Sequence, residues 1–565
     1  MSWPKRVSYS AWKKLLIRQI RSMTKSQPHQ TRNGNCSSKK KVLRLQACLE
    51  KKAAQKQIIR MTHELKACEG KSHKENVKLE LITMLKQFLE RRRVYQHIEE
   101  TIVDCRNQDQ IIYSKQTIIL SALAIFLFRM GSGNKFDDKN HDKDEKYSKA
   151  NVSKFIDAKE NQVPVIKTIE KFLKNLEEES VNDLMITFFK DLQKSKFFVQ
   201  HPQIMPGDFF LLAADCVHTH TYDHLHHIDS QGNQDCPCCL KRVYNKGTEK
   251  EKVKWQHFTL VFSFVFIGGL KIPIFRYPIH AKQIIGLESA SEDNHKQECE
   301  TVALKIVLPK IRAFFPKMKI VLLLDGLYAN RPVIRLAQEQ RCGYIIVRKT
   351  SSLPLLAKEC DSISKESNHK KNCTKKRQEK VKGWLIDQKY EWFNSCYLGE
   401  GLHTHVLRFW ENRTKEEFKT ECYQCEWLVS KRISAKTCEL FARQARSRWE
   451  EEDIFNSLKN RGFNFKHDYS RDPLSCFNWQ GLALFAFAIF ELFRFSEAVV
   501  QRVNLPQITL AEKLQGQLFY RPTQEIFSEA QLSKKMQFRY HFAIEFIPFN
   551  KMDSGNAAEM FLETG

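Results

Sequence analysis

The chain has 565 residues, with 92 Lys+Arg against 65 Asp+Glu and a formal charge of +27. That length allows roughly two to four domains and a large core, and the cationic excess favours a polyanion partner, nucleic acid first. Seventeen Cys are scattered through a Lys-rich chain whose start, Met-Ser-Trp-Pro-Lys-Arg, has no apolar leader, which argues for reduced thiols in the cytoplasm and against a disulfide-stapled secreted scaffold.

Residues 1–45 hold twelve Lys/Arg and no acid. Trp12, Leu15, Leu16, Ile20 and Met23 fit one helical face, with Lys13, Lys14, Arg18 and Arg21 among the other positions. Such a basic amphipathic helix suits phosphates, a membrane surface or a partner protein. Residues 1–110 are expected to be a helical, basic DNA-binding region, although no helix-turn-helix signature stands out. Residues 111–205 read as a helical linker region. The apolar runs Ile118–Phe128 and Leu482–Phe493 are too short to span a bilayer and read as buried helices, so no membrane partner is expected.

Strand character begins at 206. Asp208–Asp215 is an apolar run ending in an acid, and Lys319–Asp325 is another, followed by Gly326. Phe258–Ile267 and Leu270–Tyr277 flank Gly268-Gly269, a hairpin signal. Cys342–Arg348 is a further short strand. Strands mixed with helices make 206–356 the first part of an α/β catalytic domain. Residues 357–383 lack apolar periodicity and read as a loop, which opens a β-rich insertion over 357–434. Residues 435–500 return to helices, and 501–565 form a C-terminal tail.

The chemistry centres on residues 445–462, expected to be one uninterrupted helix stopped at Gly462. Arg448, Glu452 and Lys459 share a face with Ala445 and Phe455, so one carboxylate sits between two cations. Asp215 and Asp325 end buried strands, where sheet ends commonly host ligand sites. Three carboxylates brought to one point suit two Mg²⁺ or Mn²⁺ ions for phosphoryl chemistry. Asp208 and Asp223 are alternatives for the first acid, and Glu450, Glu451 and Asp453 are rivals of the third. A His-rich stretch with His226 precedes Cys236, Cys238 and Cys239. It offers ligands for a structural Zn²⁺; the other reading is a polar loop. Cys422-x2-Cys425 is a second pair, better read as packing.

Arg448-x3-Glu452-x6-Lys459, with Arg446-x-Arg448-Trp449 and Leu458-Lys459-x2-Gly462 around it, resembles the Y-x2-R-x3-E-x6-K signature of insertion-sequence DDE transposases of the insertion-sequence-four group. Ala445 stands in the tyrosine position. The resemblance covers roughly residues 110–500. It implies an RNase H-like catalytic domain interrupted by a β-rich insertion. It also implies a triad of Asp215, Asp325 and Glu452 on two divalent metals, with Arg448 and Lys459 as DNA contacts. The expected activity is DNA transposition: cleavage and strand transfer at the terminal inverted repeats of a bacterial-type element. The expected partners are double-stranded end and target DNA, with a homodimer in the DNA complex. Two other readings stand beside it: an RNase H-like nuclease without strand transfer, and a catalytically degenerate DNA-binding protein of element origin.

Overall fold

The computed structural model describes residues 81–523, with breaks of which 199–208 and 282–298 are the longest. Lys13, Lys14, Arg18, Arg21 and Asp208 lie outside the described residues.

The described chain opens with helices α1 (Leu81–Arg91), α2 (Val94–Thr101), α3 (Lys115–Leu127), α4 (Gly133–His141), α5 (Ser148–Phe155), α6 (Ile166–Lys174) and α7 (Ser180–Lys194). α3 is apolar all round, and a helix without a polar face must be buried all round. Residues Thr117 to Leu127 are all buried, and Ser114 caps the helix by accepting from the Thr117 amide at 3.1 Å.

The sheet follows: β1 (Phe210–Tyr222), β2 (Leu240–Tyr244), β3 (Lys252–Val265) and β4 (Lys271–Pro278), then α8 (Glu300–Phe314), β5 (Ile320–Leu324), α9 (Arg331–Glu339) and β6 (Gly343–Val347). The β3–β4 hairpin turns at Gly268 and Gly269, both with positive φ. β4, β3 and β1 pair antiparallel, while β5 and β6 continue parallel to β1. The parallel strands read as unbroken apolar runs because both of their faces are covered. On one face, Phe189 of α7 stacks on Phe264 at 4.4 Å and meets Phe315 just after α8. On the other, Leu211, Ala213, Val321 and Leu323 form the core with the helices that follow the insertion.

Residues 357–434 are more ordered than the sequence suggests. Where a loop was expected, the chain forms α10 (Pro354–Ile363), α11 (Ser367–Asn372) and β7 (Thr374–Val381). α10 shows little periodicity because only Leu356 and Cys360, one turn apart, are buried. β7 is Lys-rich because it is a charged edge strand, paired through its backbone to β8 (Trp384–Gly399). β9 (Leu402–Lys415) and β10 (Lys419–Val429) complete a meander that joins the main sheet, where Trp427 pairs with Val347 and Val429 with Ile345. The insertion therefore widens one continuous sheet.

α12 (Cys438–Arg446), α13 (Trp449–Asn460), α14 (Pro473–Arg494) and α15 (Gln507–Tyr520) close the structure. The single helix expected over 445–462 is broken at Ser447–Arg448. There the Ser447 hydroxyl donates to the Arg443 carbonyl at 3.1 Å, a local bond that competes with helix continuation. Gly462 does end α13, at φ +88°. α14 is the one described helix long and apolar enough to cross a membrane, and that stretch is wholly buried inside the protein.

Candidate active site

Strand register brings the two aspartates together. Ala213 of β1 is the partner of Leu323 of β5. Two residues further along, on the same face, lie Asp215 of β1 and Asp325 just past the end of β5, the neighbouring strands being about 4.8 Å apart. Asp215 is not at a strand end as expected. β1 continues seven residues beyond it, because the backbone of the His- and Thr-rich stretch keeps pairing with β3. Asp325 does follow the last residue of β5. Its Oδ1 accepts from the Leu327 amide at 2.8 Å, capping a short 3-10 turn. Asp223 is exposed and paired with Lys254 roughly 25 Å further along the chain from Asp215.

α13 carries four consecutive acids, and a 100° step sends them in separate directions. Glu450 and Asp453, one turn apart, both pair with the buried Lys271 of β4. Glu451 is fully buried and accepts from Ser263 of β3 at 3.1 Å. Glu452 is left near Asp215, whose carboxyl, raised first by burial, its charge helps to raise. Arg448 sits between, 3.5 Å from Asp215 Oδ2 and 2.6 Å from Glu452 Oε1. Among the rivals of the third acid, each thus has another partner.

The electrostatics fit a crowded anionic site. Burial pushes the Asp215 carboxyl up to about 6, opposed by the Cys216 amide and Arg448 and reinforced by Asp325 and Glu452. Burial likewise lifts Glu300 to about 7, with Asp215 and Asp325 adding to it. Glu300 opens α8 and touches Cys216, whose side chain leaves the opposite face of β1. It is a fourth nearby carboxyl that sequence reading did not single out. Burial, first of all, raises the Glu451 carboxyl well above the usual carboxylate range.

Cations ring the acids. Lys349, also not anticipated, lies 3.5 Å from Asp325 Oδ2. Its stem runs over Gly326, where an added Cβ would meet it at 2.5 Å; a side chain at 326 would push Lys349 off the acid. Lys459 is half-buried, two turns from Glu452, and forms no ion pair among the described residues. Burial, with Lys466 beside it, lowers its pKa, opposed by Asp215. Ala445 is buried in the apolar cluster with Ala213 and Leu323, so it supplies no polar group.

The His-rich stretch divides. His218 bonds to Thr221 at 2.8 Å and His227 to Asp235 at 2.7 Å. His226 turns inward to Cys236 and His257, and Cys239 contacts the same His257. Cys238 is not in that group; His257 takes the place assigned to it from sequence. Cys422 and Cys425 lie three apart on β10, a spacing that sends them to opposite faces.

No protein family matches the chain, and no curated protein matches it. Among solved structures it is similar to a piggyBac transposase synaptic complex with hairpin DNA, seen by cryo-electron microscopy. Identity is 10% and the TM-score 0.31, over 83% of this chain and 84% of that one.

Proposed function

We propose that this protein is a DDE transposase of the insertion-sequence-four type, which cleaves and rejoins DNA strands at the ends of a mobile element. One observation carries the reading: Asp215 of β1 neighbours Asp325, which follows the parallel strand β5, and Glu452 of α13, with Arg448 bridging Asp215 and Glu452. The order β4-β3-β1-β5-β6, antiparallel then parallel, supports an RNase H-like core. The insertion of β7 to β10 between the second Asp and the Glu accords with the resemblance as well.

The residues fit a pair of hard divalent ions. Their donors are carboxylate oxygens, and the Asp215 carboxyl, raised first by burial, is raised further by the neighbouring Asp325 and Glu452. Asp215, Asp325 and Glu452 would hold Mg²⁺ or Mn²⁺. When bound, such ions polarise the phosphodiester and stabilise the attacking and leaving oxygens. The chain's own cations handle the substrate. Lys459 is placed to take a backbone phosphate. Arg448, now beside Asp215 and Glu452, would be free to contact the DNA if those acids held metal. Its planar fork suits bidentate phosphate contact. In the proposed reaction a water, then a 3′-hydroxyl, displaces a phosphodiester oxygen, and no bond to the protein forms.

The test is incubation of the protein with duplexes bearing its own element ends and Mg²⁺, scoring nicked and joined products separately. Joined products establish strand transfer. Nicking alone would select the nuclease reading, and neither product with firm end binding would select the DNA-binding reading.

A further inference from the structure

The second metal-competent cluster lies at the other end of β1. Cys239 immediately precedes β2, whose first residue, Leu240, pairs with Gln256 of β3. One step further in that antiparallel register, Cys239 faces His257. The contact is direct: Cys239 Sγ is 3.1 Å from His257 Nε2, and Cys236 Sγ is 3.5 Å from the same nitrogen. His226 completes the group. Its ligand atom and those of Cys236 and His257 all lie within 4.8 Å of one another. Cys236, Cys239 and His257 are buried. Neither ring nitrogen of His226 makes a well-formed hydrogen bond, although both are buried.

We infer that His226, Cys236, Cys239 and His257 form a structural zinc site. The donors are two thiols and two imidazoles, and the thiols have the Cys-x2-Cys spacing common to such sites. A tetrahedron with Zn–S of about 2.3 Å and Zn–N of about 2.0–2.1 Å has S···N edges of about 3.6 Å, close to the contacts seen. Four protein ligands leave no open position, so the ion is structural. It ties the 223–239 loop to β3 and so fixes the end of the strand that carries Asp215. His226 sits in a ring cluster that extends this anchoring, stacked on Tyr222 at 4.7 Å and edge-on to His257 at 5.0 Å. The site is independent of the acidic triad, and its loss would not by itself speak against transposition.

The test uses the full chain. Purified protein, dialysed free of loose metal, is assayed for zinc by plasma emission, and then with Co²⁺ in place of zinc. Wild type and Cys238→Ser should each carry about one zinc per chain. The Cys236→Ser/Cys239→Ser double variant should carry none and melt at lower temperature. The cobalt form should show the intense visible bands of a tetrahedral ion together with thiolate charge transfer. Zinc-free wild type with unaltered melting after chelation, an octahedral cobalt spectrum, or full zinc in the double variant would each overturn the assignment. If the double variant does not fold, wild-type zinc content and the cobalt spectrum decide alone.

Discussion

Arg448 holds Asp215: its Nη1 lies 3.5 Å from the Asp215 Oδ2, while its other terminal nitrogen reaches Glu452. One guanidinium therefore contacts two of the three proposed metal ligands. Removing it by Arg448→Ala leaves two carboxylates facing each other. The metal-free variant should melt below wild type, and added Mg²⁺ should raise its melting temperature more than that of wild type. Equal Mg²⁺ shifts by calorimetry would show that Arg448 is not the countercharge of this site.

The raised Asp215 carboxyl sets a pH dependence. Its folded value of about 6 stands above its ordinary 3.8, so the folded state holds the proton more tightly than the unfolded one. Its contribution favours folding at low pH and is lost as pH rises from about 4 to about 6. Metal needs the carboxylate, so stabilisation by Mg²⁺ should grow across the same window. Asp215→Asn should flatten both trends in melting curves at stepped pH. Trends of unchanged steepness in that variant would place the titration elsewhere.

Not every acid of α13 serves the site. Lys271 is buried with Glu450 and Asp453, and Arg461 lies 3.0 Å from Asp453. Asp453→Ala leaves a buried ammonium short of one partner, and removing one side of a buried pair costs about 3 kcal/mol. Chemical denaturation should register that loss. Cleavage per folded molecule should stay close to wild type. A fully stable Asp453→Ala protein with no cleavage would reverse these roles.

The N-terminal cations lie outside the described residues, and their prediction rests on charge alone. Twelve Lys/Arg without an acid in 1–45 should release counterions from DNA. Deleting them should weaken binding and flatten the plot of log K against log salt. An unaltered slope would mean that this segment does not touch phosphate.

Much of the site was legible because spacing on regular elements is rigid. Asp325 announces itself as an acid after five apolar residues and before a glycine. Glu452 follows from its place between Arg448 and Lys459. What stayed hidden depends on pairing across the chain. β1 runs on past Asp215 because β3 accompanies it, and no local pattern in His-Thr-His-Thr declares that. His257 is separated from Cys239 by most of a hairpin, and only antiparallel register sets it opposite. The break at Ser447 was invisible because neither Ser447 nor Arg448 is a helix breaker by propensity. α10 and β7 were missed because an edge strand and a half-exposed helix need little apolar pattern.

The central claim is that α13 presents Glu452, and not its buried neighbour Glu451, to the two aspartates. Cleavage of element-end DNA in Mg²⁺ by Glu452→Gln and Glu451→Gln, at equal folded concentration, tests it most directly. Glu451 is fully buried and accepts from Ser263, a bond that the glutamine carbonyl can keep, so activity should remain within a few-fold of wild type. Glu452→Gln should bind the DNA and lose more than the roughly 100-fold that removal of an outer-shell metal partner costs. Full cleavage by Glu452→Gln, with activity lost instead in Glu451→Gln, would contradict the account.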